Sequence, residues 1–158
     1  TVRNLHERPY VEMTLAWLRS QGIQFRHEVR GATDILNIPG RQTYKPLNVS
    51  IAGDFSSASY PIAAAALIPG EVTLLGLNMT EPQGDKRLVK ILQQMGADIS
   101  ETPDGLQIRS GKPLQGCRVD ANDIPDLMPT LAVAHGDGSD ASTTRNSSIA
   151  SYTSLDCP

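Results

Sequence analysis

The sequence is poor in aromatic residues and has no concentration of positive charge. Aromatic side chains make up 4% of the 158 residues, and the formal net charge is −3. Lysines and arginines are scattered singly, so there is no basic stripe that could neutralise a run of phosphates. Single-stranded nucleic acid also needs aromatic platforms on which its bases stack. We therefore expect no nucleic-acid partner.

Long apolar runs and cysteines are also scarce. The longest apolar run, residues 62–68, is too short to span a bilayer, and the polar N-terminus does not have the charged-then-apolar pattern of an export signal. Cys117 and Cys157 have neither the spacing of a metal site nor the density of a disulfide scaffold. The three histidines are far apart in the sequence. These features predict a cytoplasmic protein with no membrane segment and no metal site.

Apolar residues make up 39% of the chain, which is enough for one buried core. A helix is predicted after the turn at Gly53, running to residue 67, and the helical spacing of apolar residues predicts others over 10–20, 88–95 and 126–134. Strands are predicted over residues 23–29, 34–38, 48–51, 72–77, 97–102 and 105–109, with a further one near Val119. The fold class is therefore α/β, in its α+β form.

Two segments of the chain resemble each other in order and composition. In the first, a helix ends at Gly22, two strands follow, and Lys45-Pro46-Leu47 leads into a further strand. In the second, a helix ends at Gly96, two strands follow, and Lys112-Pro113-Leu114 comes next. The chain is thus predicted to contain repeated β-α-β-α-β-β units, beginning inside one copy and ending inside another. We expect it to be part of a longer array.

The composition changes near His135. Residues 135–158 are rich in small and polar side chains and have no apolar period, so an irregular tail is predicted there. Residues 1–134 form the predicted domain. The abrupt change indicates a truncation or a shifted reading frame near His135.

Two junctions between a strand and a helix carry the candidate site residues. At the first, Asp54, Ser56 and Ser57 follow Gly53 and offer oxygen atoms to the unpaired amides of the next helix. The same amides can alternatively bind a phosphate or a carboxylate. At the second, Asp126 lies at a helix start, where it serves either as a cap or as an acceptor for a ligand's hydroxyls and their proton. Asp54 occupies the matching place in the preceding unit.

Five strings of residues are informative together. They are Arg8-Pro9-Tyr10-Val11-Glu12-Met13-Thr14-Leu15, Gly53-Asp54-Phe55-Ser56-Ser57-Ala58-Ser59-Tyr60, Gln83-Gly84-Asp85, Met95-Gly96-Ala97-Asp98 and Ile124-Pro125-Asp126. In this order and spacing they resemble the family of 3-phosphoshikimate 1-carboxyvinyltransferase, or EPSP synthase. The resemblance covers roughly residues 8–134. It implies an inside-out barrel of two similar domains, each built from three β-α-β-α-β-β units, with this chain forming most of the second domain.

The resemblance also implies a reaction. The family transfers the enolpyruvyl group of phosphoenolpyruvate to the 5-hydroxyl of shikimate 3-phosphate, in aromatic amino acid biosynthesis, without an organic cofactor or metal. Asp126 matches the acid that touches the shikimate hydroxyls and is proposed to help deprotonate the attacking one. Tyr10 matches a tyrosine near the shikimate phosphate, and Asp54 matches an acid of the cleft between the domains.

Two departures from the family pattern bear on activity. Glu7 stands where the family usually has a serine that contacts the shikimate phosphate, and its charge should repel that group. After Ala134 the family's Lys-Glu-(Thr or Ser)-Asp-Arg segment does not follow, and the family's N-terminal lysine and arginine contacts do not occur in this chain either. Substrates that carry phosphoryl groups need several cations. We therefore expect no turnover by this chain alone.

Other interpretations stay open. The chain could be a binding module for a phosphorylated hydroxy acid, or a non-catalytic scaffold that pairs with a complementary N-terminal domain or with itself. Among enzymes, the related UDP-N-acetylglucosamine enolpyruvyl transferase is the nearest competitor, although the strings at Gly53 and Ile124 fit the shikimate enzyme better.

Overall fold

The computed structural model describes residues 1–136 and the pair 154–155. The helices in these residues are α1 (Arg8–Ser20), α2 (Phe55–Leu67), α3 (Arg87–Gln94) and α4 (Met128–Gly136). The strands are β1 (Val2–Arg3), β2 (Arg26–Arg30), β3 (Thr33–Asn37), β4 (Gly70–Leu75), β5 (Asp98–Thr102), β6 (Gly105–Ser110), β7 (Val119–Asp120) and β8 (Ser154–Leu155). Two short 3₁₀ turns, Gly84–Lys86 and Pro125–Leu127, lead directly into α3 and α4.

The strands form two antiparallel three-stranded sheets and one short pair. The first sheet has the order β1-β3-β2, the second has the order β4-β6-β5, and β7 pairs with β8. In the second sheet the central residue Ile108 lies opposite both Val72 of β4 and Ile99 of β5. The predicted mixed α/β class is confirmed.

The two predicted repeat copies end their helices in the same way. Gly22 and Gly96 both have positive φ values, of 72° and 101°. Each is followed by a residue whose amide donates to a carbonyl five residues earlier: Ile23 to Leu18 at 3.0 Å, and Ala97 to Leu92 at 2.9 Å. This is the Schellman arrangement, which needs a left-handed residue and so favours glycine. An antiparallel hairpin follows in both copies.

The main core lies between the second sheet and helices α2, α3 and α4. Its completely buried side chains are Phe55, Ile62, Leu88, Leu92, Leu106, Ile108, Ile124, Leu127, Leu131 and Ala134. Small residues on α2, including Ala63 and Ala66, are buried as well, and allow close helix packing. Ser59 of α2 and Thr130 of α4 form a buried hydrogen bond at 3.1 Å between their hydroxyl oxygens. The positions of α2 and α4 are thus coupled.

Helix α1 is joined to the first sheet by a buried carboxylate. Asp34 of β3 accepts two hydrogen bonds from the Arg8 guanidinium, at 2.8 and 2.9 Å, and lies 2.7 Å from Nε2 of His27. The Asp34 side chain is fully buried. Its pKa is lowered, first by the hydrogen bonds from Arg8 and then by those from His27. This contact fixes the first turn of α1, which carries Tyr10.

The strand predicted over residues 48–51 is wrong. No strand forms between Asn37 and Phe55, and among the described residues this segment finds no ladder partner. Val49 and Ile51 are 51% and 74% exposed. Alternating apolar residues are compatible with a strand, but a strand needs a neighbour to satisfy its amides. The other predicted elements are present, with ends shifted by a few residues.

Little of the predicted irregular tail falls within the described residues. Ser154 and Leu155 pair with β7, and α4 extends to Gly136. The remaining residues of the tail, Cys157 included, lie outside the described part, and the truncation near His135 stays a prediction. Across residues 1–136, none of the helices is both long and apolar enough to cross a membrane.

Candidate functional site

Three side chains that are distant in sequence meet at one place. The Tyr10 hydroxyl, in the first turn of α1, lies 3.2 Å from Oδ2 of Asp85 and 3.4 Å from Oδ2 of Asp126. Asp85 belongs to the turn before α3, and Asp126 to the turn before α4. We call these three residues the tyrosine–acid group. The structure therefore brings together two of the three predicted site residues, Tyr10 and Asp126.

The Gln83-Gly84-Asp85 turn positions this group from one side. The side chain of Gln83 holds the turn before α2. Its Nε2 donates to the Gly53 carbonyl at 2.9 Å, and its Oε1 accepts from the backbone amide of Phe55 at 2.8 Å. Gly84 lies against Pro9, with no room for a side chain between them. Asp85 then reaches Tyr10. Each residue of the string thus has a separate structural task.

The turn before α4 positions Asp126 from the other side. Ile124 and Leu127, which flank Pro125 and Asp126, are completely buried in the main core. The Leu127 amide donates to the Ile124 carbonyl at 3.1 Å and closes the turn. Asp126 itself is exposed. Its carboxylate is therefore held by a buried frame yet open to a ligand from solvent.

Asp54 lies outside the hydrogen bonds of the group. Its carboxylate caps α2 by accepting from the amides of Ser56 and Ser57, both at 3.0 Å. The pKa of Asp54 is lowered, mainly by the hydrogen bond from the Ser57 hydroxyl. The helix-cap interpretation is confirmed for these two amides, which leaves them no capacity for a second anion. The serines supply amides, whereas the capping oxygens come from Asp54 alone.

The electrostatics of the group are dominated by burial and negative charge. Burial raises the pKa of Tyr10, and the charges of Asp85 and Asp126 raise it further, so the phenol is neutral at physiological pH. Burial is also the largest cause of the raised pKa of Asp85, followed by contributions from the charges of Asp126 and Asp54. The surroundings therefore disfavour the ionised forms of Tyr10 and of Asp85.

Sequence reasoning missed Asp85 as a site residue. The Gln83-Gly84-Asp85 string predicts a turn, and an acid in a turn is ordinarily exposed. In the structure Asp85 is 4% exposed, because α1 covers the turn. The available signal was the string itself, whose glycine immediately precedes an acid.

The cations next to the group in sequence are engaged elsewhere. Arg8 binds Asp34 with both terminal nitrogens. Lys86 donates to the carbonyls of Met79 and Glu81, and Arg87 donates to that of Asp120. Within the described part, these three cations thus bind Asp34 or backbone carbonyls, and none of them hydrogen-bonds Asp126.

Glu7 begins α1 in an unusual conformation. It occupies the N-cap position with φ 53°, in the left-handed region, and makes no capping hydrogen bond with its side chain. The side chain is exposed. The Glu7 carboxylate is therefore exposed at the start of the helix that carries Tyr10.

The described residues offer no metal centre at the group. Residues 1–136 contain no cluster of His, Cys, Asp and Glu that could hold a metal ion. A cavity of about 410 Å³ lies elsewhere, lined by residues that include Ile51, Leu77 and Asp104. Asp126 is the exposed member of the tyrosine–acid group, and a ligand or a second domain could reach the group there.

Comparison with known proteins places these residues in a family. Residues 1–156 match the family described as EPSP synthase (3-phosphoshikimate 1-carboxyvinyltransferase). The chain belongs to the EPSP synthase family. The family predicted from the five strings is therefore confirmed.

Curated relatives agree over most of this chain. It is 43% identical over 133 residues to the 3-phosphoshikimate 1-carboxyvinyltransferase of Ruminiclostridium cellulolyticum, a match that covers 84% of this chain and 31% of the relative. It is 46% identical over 130 residues to the enzyme of the same name from Methanothrix thermoacetophila, covering 82% and 30%. The chain thus spans about 30% of the length of these relatives.

A solved structure supports the fold. The EPSP synthase of Acinetobacter baumannii superposes with a TM-score of 0.51 at 24% identity, over 77% of this chain and 29% of that one. The mixed α/β architecture is accordingly that of part of an EPSP synthase.

Proposed function

We propose that this chain forms part of the shikimate 3-phosphate site of an enolpyruvyl transferase. The observation that carries the proposal is the contact of Tyr10 with Asp126, which lie 116 positions apart and come within 3.4 Å. A phenol that donates to a carboxylate at an exposed surface suits a ligand rich in hydroxyl groups, because both residues can exchange hydrogen bonds with it. Membership of the EPSP synthase family supports this ligand class.

Each site residue has a proposed role. Asp126, exposed and hydrogen-bonded to Tyr10, accepts hydrogen bonds from the ligand's hydroxyls and takes the proton of the hydroxyl that attacks phosphoenolpyruvate. Tyr10, neutral at physiological pH, donates a hydrogen bond near the ligand. Asp54 fixes the start of α2 beside the site and contributes negative charge. No metal or organic cofactor is part of the proposal.

The whole reaction is not proposed for this chain by itself. Two phosphorylated substrates need cations, and Arg8, Lys86 and Arg87 are already engaged in contacts within the chain. Because none of these three cations hydrogen-bonds Asp126 in the described residues, we expect weak binding of shikimate 3-phosphate, with a Kd on the order of 1 mM. Phosphoenolpyruvate would then require residues beyond those described.

Amide chemical shifts would test the proposal directly. Isotopically labelled chain is titrated with shikimate 3-phosphate, and with unphosphorylated shikimate as a second ligand. We expect saturable shifts at Tyr10 and Asp126, which Asp126→Asn abolishes and the control Tyr60→Phe, at a position 64% exposed, leaves unchanged. If no amide moves at 10 mM ligand, about ten times the expected Kd, the chain has no such site.

Phosphate release separates binding from catalysis. With both substrates present, we expect no inorganic phosphate above the background of the buffer. Robust release by the chain alone would contradict the view that it supplies only part of the site. Shifts with several phosphorylated hydroxy acids of unrelated shape, without release, would favour a general binding module.

Association with a complementary domain is the second candidate role. It is favoured by the exposed apolar residues of the segment that fails to form a strand, Leu47, Val49 and Ile51, which are 46%, 51% and 74% exposed. Such residues are typical of a surface covered by another chain or domain. Sedimentation of the chain with a separately produced N-terminal domain tests this, and strictly independent sedimentation would contradict it.

The cytoplasmic location stays a prediction.

A further inference from the structure

Asp85 has no role in the proposed function, although it makes the shorter of the two contacts to Tyr10. The Tyr10 hydroxyl lies 3.2 Å from Asp85 and 3.4 Å from Asp126. Asp85 is 4% exposed, whereas Asp126 is exposed. A ligand arriving from solvent therefore meets Asp126, with Asp85 behind Tyr10.

We propose that Asp85 is a positioning residue, which holds the Tyr10 hydroxyl and through it orients the Asp126 carboxylate toward the ligand. The inference rests on the proposed function, in which Asp126 receives the ligand's hydroxyl. Asp85 itself does not touch the ligand.

The first argument is the count of protons and acceptors. A tyrosine hydroxyl has one proton to donate and lone pairs that accept. If both carboxylates are ionised, only one receives the Tyr10 proton and the other faces a lone pair. If Asp85 carries a proton, it donates to Tyr10, and Tyr10 donates to Asp126. The hydroxyl then points at Asp126, and no proton is transferred.

Burial and the neighbouring negative charges both favour the arrangement in which Asp85 carries the proton. Burial raises the pKa of Asp85, and the negative charges of Asp126 and Asp54 act in the same direction. Tyr10 and the Ser56 hydroxyl oppose the shift only in part. The charged groups around Asp85 are thus acids, presented by the turn before α4 and the start of α2.

The second argument is that Asp85 is poorly satisfied for a purely structural residue. Its Oδ1 atom is buried and has no hydrogen-bond partner among the described residues. An unsatisfied buried oxygen destabilises the folded state. A residue kept for stability alone would be expected to use both oxygens.

The third argument is the rigidity of the turn that carries Asp85. Gly84 is packed against Pro9, and the Lys86 ammonium donates to the Met79 carbonyl at 3.0 Å and to the Glu81 carbonyl at 2.6 Å. Asp85 is thus anchored on both sides. Tyr10, one residue after Pro9, is placed against a fixed carboxyl.

A titration without ligand tests the coupling. The full chain is labelled with ¹³C at the tyrosine ζ carbons, and the Tyr10 signal is followed with pH. A carboxyl is ionised at the alkaline pH where a tyrosine titrates, so in that range Asp85→Asn removes a negative charge beside Tyr10 while its amide can still donate. We therefore expect the Tyr10 pKa to fall by about one unit. Tyr60 serves as internal reference, and Asp98→Asn, at an exposed site on β5, serves as control. An unchanged Tyr10 titration in folded Asp85→Asn would overturn the proposal.

Binding of shikimate 3-phosphate tests the direction of the effect. We expect Asp85→Ala to weaken binding about tenfold and Asp85→Asn less than threefold, because only asparagine can still hydrogen-bond Tyr10. In a Tyr10→Phe background both effects should disappear. Effects that persist in that background would contradict action through Tyr10. Should the unsubstituted chain not bind at all, the proposed function fails, while the ligand-free titration still decides whether Asp85 orders Tyr10.

Discussion

Gly84 lies directly against Pro9: a Cβ atom at position 84 would stand 2.8 Å from the Cβ of Pro9 and 3.1 Å from its Cγ. Pro9 precedes Tyr10, and Gly84 precedes Asp85. The close approach of Gly84 to the Pro9 ring therefore brings the Tyr10 hydroxyl within hydrogen-bonding distance of the Asp85 carboxyl.

Gly84→Ala should push α1 away from this turn. Pro9 is rigid and the carbonyl of Asp123 lies 3.4 Å away on another side, so the extra methyl group has little room. We expect a loss of about 1–3 kcal/mol in the free energy of unfolding, measured with urea. Gly111→Ala, where a Cβ meets nothing within 4 Å, is the matched control. Equal effects of the two substitutions would show that the contact is not tight.

Asp54→Ala should destabilise α2. It removes the acceptor for the Ser56 and Ser57 amides, which costs about 0.5–2 kcal/mol at neutral pH. Because the folded-state pKa of Asp54 is lowered, its contribution is complete above the unfolded value of about 3.9 and is lost as the pH falls through the folded value. Urea unfolding from pH 7 into the acid range measures the difference between the two proteins. A difference that grew with acidity would contradict the capping role.

The Ser59–Thr130 hydrogen bond should be visible in a double-mutant cycle. Thr130→Val leaves the buried Ser59 hydroxyl without its partner, so we expect a cost of about 1–3 kcal/mol. Ser59→Ala added to Thr130→Val should recover part of that cost, because no buried polar atom is then left unpaired. Denaturant unfolding of the four proteins gives the coupling energy. Strictly additive effects would rule out the interhelical bond.

Substitutions in residues 48–51 should have little effect on stability. Ile51 is 74% exposed and lies in no strand, so Ile51→Ala should change the free energy of unfolding by less than about 0.5 kcal/mol. Ile62→Ala, at a completely buried position in α2, should cost about 2–5 kcal/mol. Chemical denaturation compares the two. A large loss of unfolding free energy in Ile51→Ala would show that Ile51 is packed, and would support the strand predicted over residues 48–51.

The elements that the sequence predicted correctly are those with local causes. Gly22 and Gly96 mark helix ends because a left-handed residue is needed there, whatever packs around it. Asp54 was recognised as a cap because its acceptors lie within three residues of the amides they bind. Helix periodicity likewise reports which face each helix buries.

The failed strand and the overlooked acid have non-local causes. Residues 48–51 have a strand-like pattern, but pairing depends on a neighbour that the described chain does not provide. Asp85 lies in a turn that would be exposed without α1. Neither outcome can be read from nearby residues, because each depends on what another part of the chain covers.

The residues alone were enough to indicate the family, the α/β class, the helix ends, the Asp54 cap and the candidates Tyr10, Asp54 and Asp126. The three-dimensional arrangement was needed to show that Tyr10 lies between two carboxyl groups and that Asp54 stays outside their hydrogen bonds. The reason is physical. Caps and turns are satisfied by atoms a few residues away, whereas the two carboxyl groups that raise the pKa of Tyr10 lie 75 and 116 positions away in the sequence.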